Sequence, residues 1–258
     1  MALNFTVEYL EVFLLILVRV SAFLVSAPFF SLSRIPRQVK ASLAFYISLL
    51  LFSSLGVRTV EYNGMIELAF LIIKEAVAGL LLGYMTNICL YILNFSGNLM
   101  DMEIGFSMVT EFDPSSNMNA TITATFYTNA VMLLMLVSNM HHYILKAFLE
   151  TFQLIPIGTV SISPDMYKVM LSFMGEYFIL GFRIILPVFA TMLTLNVVLG
   201  ILAKVAPQMN MFSVGMQFKV LGGILILAIV MGLLPQVSDL IYEEIQRIFN
   251  QIVVSLQT

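Results

Sequence analysis

The sequence predicts an all-α, polytopic membrane protein of about six long, partly broken helices. Three observations lead there. Residues 76–100, 114–145, 184–203 and 220–238 contain no Asp, Glu, Lys or Arg, and a bilayer core of about 30 Å is crossed by roughly 20 apolar helical residues. Two further runs come close, Val12–Ser33, broken only by Arg19, and Ala41–Val57. The chain is 60% hydrophobic and 10% charged, with a mean hydropathy of +0.99, a balance that rules out a single soluble globule.

In order, the predicted helices are 9–33, 39–57, 65–98, 120–149, 166–203 and 218–250. The first is expected to stay in the mature protein, because residues 1–11 carry Glu8 and Glu11 and no Lys or Arg, whereas a signal peptide opens basic. The third and fifth exceed the length of a straight crossing, so they are expected to tilt, break or project. The links are short: 34–40, with three basic residues; 58–64; 151–165, with Pro156, Gly158 and Pro164 as breakers; and 204–219, flanked by lysines. An excess of Lys and Arg marks cytoplasmic loops, so 34–40 and 204–219 are expected inside and both termini outside. No repeat of 20–50 residues is present, so a solenoid is excluded.

A formal net charge of −3 with no basic stripe argues against nucleic acid as a partner. Cys89 is the single cysteine and excludes an intrachain disulfide. Trp is absent, with 21 Phe and 10 Tyr in its place. Eighteen Met fit either adaptable packing between helices or a soft pore lining. His141-His142 has no Cys, Asp or Glu at ligand spacing, so no metal or other cofactor is expected.

Charges at membrane depth single out Arg19, Lys74, Glu75, Glu176 and Arg183. Each would cost at least about 2.5–3.5 kcal/mol at the bilayer centre, so each is expected to face protein or water. Glu176 and Arg183 are two helical turns apart on one face; Lys74 and Glu75 point about 100° apart. A hydrated ion pathway and salt bridges between helices or subunits are both open readings.

Residues 96–125 break the pattern. Gly97, Gly105, Asp113-Pro114 and a Ser/Asn cluster interrupt the helix, yet Ile104, Phe106, Met108, Val109 and Phe112 are too apolar for a solvated loop. Non-helical backbone at membrane depth survives only when buried in protein or lining a cavity. A constriction and an interfacial loop fit equally. The link before the last helix has Pro207 and Gly215 bracketing a turn, Asn210 available as a cap, and apolar Met209, Met211, Phe212, Val214 and Met216 suited to a protein partner.

That link, Ala206-Pro207-Gln208-Met209-Asn210-Met211-Phe212 with Val214-Gly215 and Lys219, resembles the hallmark of the flagellar biosynthetic protein FliR family, shared with virulence type III secretion systems. Arg19 with Pro28-Phe29-Phe30 and Pro36, Glu75 with Gly79 and Gly83, and Gly97, Gly105-Phe106 and Asp113-Pro114 agree with the family end to end. Met216-Gln217-Phe218 departs from its frequent Leu-Pro pair.

The resemblance implies one integral membrane domain, 1–258. Residues 1–200 would be FliP-like and 184–250 a FliQ-like hairpin with cytoplasmic loop 204–219. It implies helical hairpins assembled with FliP and FliQ homologues into a helical ring, with FlhB and FlhA attached, in the bacterial inner membrane at the flagellar basal body. It implies a conduit for unfolded exported proteins. The plug falls near 105–117, at Gly105, Phe106, Met108, Val109, Phe112, Asp113 and Pro114. The buried charges become assembly contacts, and Lys204, Pro207, Gln208, Met209, Asn210, Phe212, Gly215 and Lys219 become the cytoplasmic partner loop. The helices would be lifted largely out of the bilayer, against a simple six-span topology.

No phosphate-binding Gly-rich loop is present, so energy would come from elsewhere and no enzymatic activity is expected. A secondary transporter would show paired broken helices in inverted repeats; one broken region stands without a mate. An intramembrane enzyme would need a nucleophile–base or metal constellation, and none stands at useful helical spacing. An injectisome gate is the alternative to a flagellar one.

Overall fold

A computed structural model describes residues 7–31, 35–56, 60, 62, 64–106, 110–113, 118–208 and 210–257, at backbone level only for 7–8, 110–113, 118–120 and 211–213. The described chain is α-helical apart from one hairpin: α1 (Val7–Ser26), α2 (Arg37–Leu55), α3 (Met65–Ile104), β1 (Thr110–Asp113), β2 (Met118–Thr121), α4 (Ile122–Val137), α5 (Met140–Leu154), α6 (Met166–Val205), α7 (Met211–Val230) and α8 (Leu234–Gln257). A 3-10 turn, Met231–Leu233, joins the last two. The all-α membrane class holds.

Several expected boundaries move, beginning with the first helix, which ends at Ser26 instead of at 33. The third helix continues through Gly97 to Ile104. The expected 120–149 helix is two, separated at Ser138–Asn139, where Asn139 takes φ 58°. The 204–219 loop shrinks to 206–210, and Gly215 lies inside α7 instead of at a turn. The last helix is interrupted beside Pro235, which sits in the first turn of α8, where its missing N–H costs nothing. Among the described residues, four helical stretches are long and apolar enough to cross a membrane, Tyr9–Ser26, Arg37–Leu55, Met166–Val205 and Val214–Gln257. The α4–α5 pair makes a fifth if it forms one span. The two helices of 40 residues, α3 and α6, run about 60 Å at 1.5 Å per residue, twice a bilayer core.

The chain divides into two compact units: residues 1–88, 139–173 and 243–258, and residues 89–138 and 174–242. In the first, α1 packs on α2 through edge-to-face rings, with Phe13 5.5 Å from Phe45 and 6.0 Å from Phe52. A helical stripe of α1, Val12, Leu15, Ile16, Arg19, Val20, Phe23 and Leu24, is buried. Gly79 and Gly83 bring α3 against it: a Cβ at Gly79 would overlap the Arg19 carbonyl, and one at Gly83 would meet the Phe23 carbonyl at 2.7 Å. Small residues four apart allow such backbone approach in membrane helices. Phe148 of α5 stacks on Phe23 at 3.8 Å. The end of α8 is capped from outside, since Ser161 N–H and Ser163 N–H donate to the Leu256 and Ser255 carbonyls at 3.2 Å.

In the second unit, Phe95 of α3 meets Tyr177, Phe178 and Phe182 of α6 with centroids 5.5–5.8 Å apart. Ser96 donates to the Gly181 carbonyl at 3.0 Å and Tyr177 to the Tyr91 carbonyl at 3.0 Å. Gly222 of α7 lies against Leu195 of α6.

Candidate functional site

Two constellations stand out, one in each unit. In the first unit, Arg19 and Glu75 form an ion pair with side chains 1% and 0% exposed. Each partner also holds the α5–α6 connection. Arg19 Nη1 donates to the Ile155 carbonyl at 3.0 Å, and Glu75 Oε1 accepts the Gly158 N–H at 2.8 Å. The guanidinium lies over the Phe152 ring at 4.6 Å, a favourable cation–π placement. Gly158 takes φ 82° and is packed on Val60, which aims its N–H at the carboxylate.

The sequence pattern explains the geometry. Glu75, Gly79 and Gly83 are four apart, so they share one face of α3. The glycines bring the backbones of α1 and α3 together, and Glu75 meets Arg19 at the head of that seam. Arg19 and Glu75, expected as contacts of assembly, pair within the chain as a bridge between two of its own helices, with Arg19 Nη2 buried and without a hydrogen-bond partner among the described residues. Lys74 and Arg183 are exposed, and Glu176 is half-buried and engaged. Lys74 lies beside Phe70 and Ile73, 61% and 56% exposed, and Arg183 beside Phe182 and Leu186, 54% and 56% exposed. These two charges therefore sit on apolar faces that the chain leaves open.

In the second unit, the region expected to be irregular is an antiparallel hairpin. Thr110 pairs with Thr121, Glu111 with Ala120, Phe112 with Asn119 and Asp113 with Met118. Gly105 begins it with φ 100°, a conformation glycine adopts freely, and its N–H donates to the Asp101 carbonyl at 2.9 Å. Phe106 is half-buried. Phe112 and Asp113 lie on β1. Met108, Val109 and Pro114 fall outside the described residues, as do the side chains of Phe112 and Asp113.

The base of the hairpin is fastened from α3 by Asp101 and Asn98, which the sequence did not single out, and by Gly97. Asp101, 0% exposed, accepts the Thr123 N–H at 2.8 Å and the Thr123 hydroxyl. Asn98 Oδ1 accepts the Thr121 hydroxyl at 2.9 Å. Gly97, read as a helix breaker, is a contact point: a Cβ there would overlap the Ala124 backbone. The available signal was the threonine run 121, 123 and 125, of which Thr123 meets the first acid after 25 uncharged residues.

The expected partner loop is short. Lys204, Pro207, Gln208 and Asn210 are exposed, Lys219 is half-buried on α7, and a Cβ at Gly215 would sit 3.7 Å from Leu199, in ordinary contact. The Val214 N–H donates to the Asn210 carbonyl at 3.1 Å, the first turn of α7. Met209 and the Phe212 side chain lie outside the described residues. His141 and His142 lie in the first turn of α5, with rings 4.1 Å apart and His141 against Phe29. Among the described residues no group of three or more His, Cys, Asp or Glu is placed to hold a metal.

The family model described as bacterial export proteins, family 1, matches residues 10–245. The chain is similar to the flagellar biosynthetic protein FliR of Escherichia coli (strain K12), 26% identical over 249 residues, 96% of this chain and 95% of that protein. It is similar to the FliR of Bacillus subtilis (strain 168), 28% identical over 242 residues and 90% of each chain. The FliR of Aquifex aeolicus (strain VF5) is 27% identical over 251 residues, 97% of each. With its helical seam, central hairpin and apolar spans, and with that match along nearly all its length, the chain belongs to the bacterial export proteins, family 1.

Proposed function

We propose that this chain is a subunit of the flagellar type III export gate, a non-enzymatic conduit component through which unfolded flagellar proteins cross the bacterial inner membrane at the basal body. The family match supports the export role, and the relatives' names support the flagellar one. One structural observation carries the gate reading. The four candidate spans are only 17–39% buried within the chain, and exposed Lys74 and Arg183 lie among their apolar neighbours. Lipid covers apolar surface but charges it meets are costly; neighbouring helices with acidic side chains cover both. FliP and FliQ homologues in a helical ring are the partners in this reading, with FlhB and FlhA at the cytoplasmic side near 204–219.

The central hairpin is the seal in this reading. Apolar Phe106, Met108, Val109 and Phe112 would close the pore to ions and yield to an entering substrate chain.

The test is co-purification. The tagged chain is expressed with FliP and FliQ homologues from the same genome, extracted in mild detergent and weighed as a complex. A single large species holding one copy of this chain is the expected result. A monomer or homodimer without bound partners overturns the reading and brings solute transport forward.

A further inference from the structure

We infer that Asp101 is the positioning residue of the central hairpin, the side chain that sets where β2 ends and α4 begins. Three successive levels of α3 are fastened before the chain leaves it. At the first, Gly97 touches the Ala124 backbone and Asn98 accepts the Thr121 hydroxyl at 2.9 Å. At the second, the Asp101 carboxylate takes both donors of Thr123. At the third, Ile104, 0% exposed, fills the space a side chain at Gly223 of α7 would need. The chain then turns out through Gly105, around whose missing Cβ nothing lies within 4 Å.

The middle level does what the other two cannot. The first turn of α4 has N–H groups without intrahelical partners, and Thr121 makes no side-chain cap. Asp101 supplies the missing acceptor from another helix, and negative charge there is favoured by the α4 dipole. The same carboxylate lies near the C-terminal end of α3, where the dipole opposes it. Its place is therefore held by Thr123, and Thr123 by it. The carboxylate serves the N–H and the hydroxyl together, one oxygen for each; an apolar side chain at 101 leaves both donors of Thr123 without that acceptor.

This inference rests on the export-gate reading only for the consequence of moving the hairpin, not for the pin itself. The experiment uses the assembled complex in membrane vesicles. Cys89 is the one cysteine and is buried, so Cys89→Ala gives a clean background. Asn119→Cys on β2 reports the hairpin, and Gly200→Cys on α6 is the control, each by its rate of reaction with a water-soluble thiol reagent. Asp101→Ala and Thr123→Val are expected to change the Asn119→Cys rate about tenfold or more, the worth of a charge-assisted hydrogen bond. Thr123→Ser restores the original rate, and the control does not move. If Asp101→Ala fails to assemble, Thr123→Val reads the hydroxyl bond from its other end. Unchanged rates in a complex of normal mass overturn the inference. Changed rates with unchanged ion leak uphold the pin and overturn the hairpin's role as seal.

Discussion

The Arg19–Glu75 bridge makes a prediction that separates a shaped network from a simple pair of charges. Glu75→Leu leaves the guanidinium buried and uncompensated, and Arg19→Met does the same to the carboxylate. Either is expected to cost about 3–5 kcal/mol. The double substitution removes both charges, but it orphans the Ile155 carbonyl and the Gly158 N–H that the pair now satisfies. At about 1–3 kcal/mol for each orphaned group, the double variant loses roughly 2–6 kcal/mol, less than the sum of the singles. The charge swap, Arg19→Glu with Glu75→Arg, restores the Coulombic pair. It also points a carboxylate at the Ile155 carbonyl and a guanidinium at the Gly158 N–H. The swap is therefore expected to stay destabilised by several kcal/mol, on the order of the single variants. Thermal melting of the detergent-extracted chain, followed by fluorescence-detected gel filtration of a fusion protein, measures all four. A swap that melts with the wild type, or single costs that simply add, refutes the clamp on the α5–α6 connection.

Three other outcomes follow from the same structure. Gly79→Ala is expected to destabilise the chain by about 1–3 kcal/mol through overpacking on α1, whereas Gly200→Ala, with nothing within 4 Å, gains up to about 1 kcal/mol of helix propensity; melting shifts of the same sign would discredit the close seam. Replacing Phe106, Met108, Val109 and Phe112 with Gly and Ser in the assembled gate is expected to raise resting ion leak across vesicles, and an unaltered leak removes the seal. Lys74→Glu and Arg183→Glu are expected to leave the isolated chain's melting within about 0.5 kcal/mol while reducing recovery of FliP and FliQ homologues; full recovery would mean that lipid or solvent covers those faces.

The sequence made the membrane class and the unusual charges legible because both are properties of composition and spacing. It did not separate Lys74 from Glu75. The two are neighbours in the chain, and only the glycine face of α3 decides which one meets α1. Partners 56 and 136 residues apart leave no local trace. Gly97 was legible as a residue without a side chain, but the same absence serves a helix break and a helix contact, and Ala124 opposite it settled the matter. The Ser138–Asn139 break was masked by apolar residues on both sides. The hairpin was hidden by its threonines and asparagines, which read as loop until paired across 110–121. Asp101 did not stand out, because its partner, Thr123, lies beyond that hairpin.

The long separation of Arg19 from its partners also constrains how the protein is made. Synthesis at about 5–20 residues per second delivers Glu75 roughly 3–11 s after Arg19, and Ile155 roughly 7–27 s after it. During that interval the nascent first helix carries a cation that has no finished socket. Residues 243–258 of the same unit emerge later still. Until Glu75 arrives the seam between α1 and α3 is unfinished, and the cation of the first helix carries the full cost of an unpaired charge at membrane depth.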